Sequence, residues 1–136
     1  MKVRATGSFP KWLSSIKHDA RIDNPSAAER HLARLRLDRI NAFLLVLARM
    51  PAPPTNDDPP LLKRIRQPSR YPLWRLGHPF HPETCVRLIV HLHEQVAVVA
   101  LVGGDKRGVS DQWYDAAVPR SEAILDHYYR QEENRQ

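Results

Sequence analysis

Apolar residues recur along this chain with two different periods, and the switch between them marks its parts. Phe9, Trp12, Leu13, Ile16 and Ala20 fall three and four residues apart, the spacing of one helix face, with Ser8 ahead of them as a cap. Asn24 and Pro25 interrupt this pattern. A second one starts at Ser26, with Glu29 three positions on: a capping box, in which hydroxyl and carboxylate satisfy free amides reciprocally. Leu32, Leu35, Ile40, Phe43, Leu44 and Leu47 then share one side, leaving Arg30, Arg34, Arg36 and Arg39 toward solvent. Together the two segments predict a helical hairpin over about 8–50.

Residues 51–60 contain five of the twelve prolines, which excludes helix and central strand and predicts a surface loop. Beyond it the period shortens to two. LLKRIRQ, YPLWRLGH, CVRLIVHL and QVAVVALV predict four strands within about 61–104, rich in β-branched and aromatic residues. The last two are separated by so few residues that they should form an antiparallel hairpin. Met1 to Thr6 could add a short edge strand. Helical spacing returns with Trp113, Ala116, Ala117, Ile124, Leu125 and Tyr128, predicting a terminal helix over about 110–133 that Pro119 should kink or divide. Hairpin, then sheet, then helix is an α+β order. A length of 136 residues suits one domain, 1–136, built on an antiparallel sheet of about four strands.

Alternation along CVRLIVHLH puts Val86, Leu88, Val90 and Leu92 on one sheet face, which should pack on the helices. Cys85, Arg87, Ile89, His91 and His93 then share the other face, expected to be wet and basic. Charge strengthens that expectation. Lys plus Arg number 21 against 15 Asp plus Glu, a formal charge of +6, and Arg outnumbers Lys by sixteen to five. Between Pro59 and Pro82 there is no acid, while Lys63, Arg64, Arg66, Arg70 and Arg75 all occur there. Guanidinium pairs bidentately with phosphate, so the balance favours a polyanionic partner such as nucleic acid. No apolar run is long enough to span a membrane and no signal-peptide core is evident, which predicts a cytoplasmic protein without a membrane partner. The single cysteine, Cys85, excludes an intrachain disulfide. His78, His81 and Cys85 fall short of the four paired ligands of structural zinc, so no metal is expected. Nor is a cofactor: Gly103 and Gly104 lack the Lys-Ser/Thr pair of a phosphate-binding loop.

The stretch RLIVHLHEQVAVVALVGGDKR, Arg87 to Arg107, with Tyr114 shortly after it, resembles the last two strands and the start of the terminal helix of RelE-like toxins, in the RelE/ParE superfamily of bacterial toxin-antitoxin systems. FPKWLSSIK and the long basic helix after it resemble the helices that open those proteins. The resemblance implies a small α+β toxin that cleaves messenger RNA on the ribosome without a metal and is held inactive by a cognate antitoxin. It implies catalytic roles for Arg87, Arg107 and Tyr114 and an RNA contact by Arg75; Lys106 and the basic run Lys63, Arg64, Arg66 and Arg70 are candidate RNA contacts by charge, and His91 and His93 are candidate acid-base groups. Gly77 to Thr84 is longer than the family's usual connection, and Asp105 sets an acid beside the basic pair.

Metal-free RNA cleavage drives a ribose 2′-hydroxyl at its own phosphate, which requires a base, cations for the phosphoryl oxygens and an acid for the departing 5′-oxygen. A tyrosine beside arginines suits that chemistry, because nearby positive charge favours phenolate. Two other readings fit the same residues: a ParE-like toxin that binds DNA gyrase, and a non-catalytic RNA-binding domain.

Overall fold

In a computed structural model the described residues are 1–54, 62–77, 86–103 and 111–135. The elements follow in the order β1 (Lys2–Ala5), α1 (Phe9–Asp19), α2 (Ala27–Arg49), β2 (Leu62–Arg64), β3 (Leu73–Gly77), β4 (Arg87–His93), β5 (Val96–Gly103) and α3 (Asp111–Asn134). The fold is α+β.

Local chemistry accounts for the helix ends. Ser26 caps α2 by accepting from the Glu29 amide at 3.2 Å. The reciprocal half of the capping box is replaced: Asn24 accepts from the Ser26 amide at 3.0 Å and donates to Glu29 Oε2 at 3.3 Å. Ser8 stands at the start of α1 without a side-chain cap bond, because its own backbone is already helical at φ −85° and ψ −5°. α3 runs unbroken through Pro119. The carbonyl that loses its partner there belongs to Asp115, an exposed residue.

The sheet has five strands in the order β1-β5-β4-β3-β2. It is mixed and not the antiparallel sheet of about four strands expected: β2, β3, β4 and β5 pair antiparallel, and β1 adds to the outer edge of β5 in parallel. Chain direction at that edge comes from tertiary packing, to which a short alternating segment is blind. β4 and β5 form the expected hairpin, closed by Glu94 and Gln95, with Glu94 at φ 54°. A bulge at Ile89/Val90 lets Val99 and Leu101 face consecutive residues of β4.

Both sheet faces are covered, which corrects the expectation of one wet face. On one side Leu62, Trp74, Leu76, Leu88, Val90, Ala97 and Val99 pack against Phe9 of α1 and Ile40, Phe43 and Leu47 of α2. On the other Leu73, Ile89, Val98 and Ala100 pack against Tyr114, Ala117, Val118 and Leu125 of α3. The second core forms because β5 contributes Val98 and Ala100 to the face of Ile89, and α3 spaces its own apolar residues at one face. Gly7 sits where β1 leaves the sheet at φ 64°, and a Cβ there would meet Ala100 O and Ile124 at 3.1 Å.

Candidate functional site

Register brings two arginines of the α3-covered face together at one end of the sheet. Arg87 opens β4 opposite Gly77, and Arg75 of β3 pairs with Ile89, so both project from the same face as the second core. α3 lays Tyr114 over them. Tyr114 is 4% exposed, and its phenolic oxygen accepts from Arg87 Nη1 at 3.1 Å and from Arg75 Nη1 at 3.5 Å. The Arg75 guanidinium carbon also lies 5.6 Å from the ring centre. Gly77 has a part in this that sequence reasoning missed: the Arg87 side chain lies across it, with Cγ 3.3 Å from where a Cβ would stand. A glycine inside a strand is the signal that marks such an approach.

Beside this group opens a cleft of about 220 Å³ lined by Lys63, Arg64, Ile65, Arg66, Gln67, Arg75 and Tyr114. Among the described residues no carboxylate lines it. Ile65 and Gln67 were also missed as lining residues, since neither is charged. Gln67 donates to Asp115 Oδ1 at 3.3 Å, tying the β2–β3 connection to α3. The four cations among the described lining residues concentrate positive potential where an anion several ångströms across can enter.

The basic residues picked out by sequence divide. Lys63 and Arg66 line the cleft with Arg75. Arg64 also lines it, yet sits opposite Trp74 in the register, on the face covered by α1 and α2, with its guanidinium 4.6 Å from the Trp74 ring centre. Arg70 lies outside the cleft lining and is held by Glu122 and Asp126 at 2.9 Å and 2.7 Å. Its fork to Asp126 raises its pKa, and the same hydrogen bonds from Arg70 and Tyr71 lower that of Asp126. Lys106 and Arg107 lie outside the described residues, as do His78, His81 and Cys85.

His91 is 2% exposed, so the expectation of an open-face histidine does not hold. α3 covers it. Nδ1 lies 2.8 Å from Pro72 O and Nε2 lies 2.7 Å from the Tyr129 hydroxyl. A carbonyl only accepts, so Nδ1 carries the proton and Nε2 takes the tyrosine hydrogen. Burial, chiefly, lowers its pKa, because the charged ring would lose water. His93 is exposed, stacked on His91 at 6.1 Å and 3.7 Å from Glu94. Neither histidine lines the cleft at Tyr114. Among the described residues no cluster of three His, Cys, Asp or Glu could hold a metal, and no helix is long and apolar enough to cross a membrane.

No protein-family model, no curated protein and no solved structure matches this chain.

Proposed function

We propose that this chain is a RelE-like toxin: a metal-independent endoribonuclease that cleaves messenger RNA on the ribosome and is restrained by a cognate antitoxin in the cytoplasm. The observation that carries the reading is the Tyr114 hydroxyl held by Arg87 and Arg75 at the wall of a cleft whose charged lining residues, among the described ones, are cations. A ribose-phosphate chain fits that chemistry, with Lys63 and Arg66 neutralising flanking phosphates. Arg87 and Arg75 stabilise the crowded phosphoryl oxygens as the 2′-oxygen bonds to phosphorus and the bond to the 5′-oxygen breaks. Tyr114 exchanges a proton with the reacting sugar oxygens. The products are a cyclic phosphate and a free 5′-hydroxyl, with one proton leaving the 2′-oxygen and one arriving at the 5′-oxygen, so no co-reactant is required.

The test is cleavage of a defined messenger RNA by purified protein, with and without translating ribosomes, with mapped ends. Ribosome-dependent cuts that vanish in Arg87→Ala and Tyr114→Phe support the reading. Intact RNA from a protein that still arrests growth overturns it in favour of gyrase binding, and intact RNA with tight RNA binding makes the chain a non-catalytic binder.

A further inference from the structure

The cleft has two walls from distant parts of the chain. Ile65, Arg66 and Gln67 come from the connection between β2 and β3, and Tyr114 comes from α3. The connection, residues 65–72, carries Pro68 and Pro72, which have no amide to give a ladder. The Ile65 amide bonds Leu73 O at 3.0 Å; beyond it the connection is held to α3 by side chains.

Most of that attachment converges on Arg70. Its backbone amide and Nε both donate to Glu122 Oε2, at 3.1 Å and 2.9 Å. Nη1 and Nη2 donate separately to the two oxygens of Asp126, at 3.1 Å and 2.7 Å. Glu122 and Asp126 stand one helical turn apart, so the four bonds fix both the position and the rotation of the connection about α3. Tyr71 extends the attachment by donating to Asp126 Oδ1 and stacking on Tyr129 at 5.8 Å. Toward the cleft, Gln67 reaches Asp115, the residue after Tyr114. Arg70 is 63% exposed in its side chain, and ion pairs in water add little to stability, so the main consequence of this arrangement is geometric.

We infer that Arg70 is a positioning residue: by clamping the β2–β3 connection onto Glu122 and Asp126, it sets the distance between the wall carrying Arg66 and Gln67 and the wall carrying Tyr114. Its role in turnover rests on the nuclease reading above. The clamp itself does not.

The experiment compares wild type, Arg70→Gln and Arg70→Lys by amide hydrogen exchange and by steady-state cleavage of the defined messenger RNA with ribosomes. In Arg70→Gln, exchange across 65–72 should rise about ten-fold or more while β4 and β5 stay unchanged. Its kcat should fall roughly ten-fold or more, with KM within about three-fold, since the cleft keeps its cations but loses alignment. Arg70→Lys, which keeps charge without the fork, should lie between. Exchange across 65–72 within about two-fold of wild type would overturn the clamp, on the same scale of comparison. Looser exchange with unchanged kcat would overturn the positioning role, and a rise in KM alone would make Arg70 a direct RNA contact instead. Wild type that leaves RNA intact defeats the nuclease reading separately, and exchange then decides the clamp.

Discussion

The two ends of the α3-covered sheet face carry similar residues in opposite states. At one end Tyr129, His91, Tyr71, Asp126 and Arg70 satisfy one another: His91 joins Pro72 and Tyr129, and Asp126 takes both Tyr71 and Arg70. At the other, Arg87, Arg75 and Tyr114 stand at a cleft lined by further cations and, among the described residues, by no acid. A polar group bonded within the protein serves stability, whereas Lys63, Arg66 and Arg75 line a space that a ligand can enter and that no carboxylate lines among the described residues. Arginine and tyrosine occur at both ends; at the first, one carboxylate, Asp126, holds both.

Breaking the open end should have the largest effect. Tyr114→Phe or Arg87→Ala should lower RNA cleavage by about 10²–10⁴, the range for a lost proton donor or a lost cation at a developing charge. Tyr114→Phe keeps the buried ring, so its melting temperature should stay near wild type. Gly77→Val should lower cleavage by roughly ten-fold or more, because a branched side chain occupies the space Arg87 crosses and misplaces its guanidinium.

The closed end should answer in stability instead. His91→Phe leaves Pro72 O and the Tyr129 hydroxyl without their partner and should cost about 1–3 kcal/mol in denaturant unfolding, with kcat and KM little changed. The pH response sharpens the contrast. Burial depresses the pKa of folded His91 below its ordinary 6.5, so the unfolded chain binds the proton more readily. That stability is present above pH 6.5 and is lost as pH falls toward the folded value. Thermal melts from pH 8 to 5.5 should show wild type losing stability over the lower part of that range and His91→Phe losing less of it, on the same linkage argument. The smallest effect belongs to the turn beside it. Glu94 holds φ 54°, where asparagine is better tolerated, and Glu94→Asn should gain roughly 0.5 kcal/mol in the same denaturant measurement.

Arg70 shows why the comparison has to be made in three dimensions. By composition it belongs with Lys63, Arg66 and Arg75 in an acid-free stretch. Its carboxylates come from Glu122 and Asp126, more than fifty residues away along the chain.

Local pattern alone carried the helices, the β4–β5 hairpin and the alternation that sets Arg87 on the face of Ile89 and His91, because each depends on spacing within a few residues; most of the proline-rich stretch, 55–60, lies outside the described residues. The pairing of Arg87 with Tyr114, the parallel edge made by β1, the burial of His91 beneath α3 and the capture of Arg70 all depend on which distant segment packs where. A residue's neighbours in sequence set the direction in which its side chain leaves the backbone. Whether that side chain then meets water, a carboxylate or a core is settled when the layers close, since burial and pairing are properties of the assembled fold.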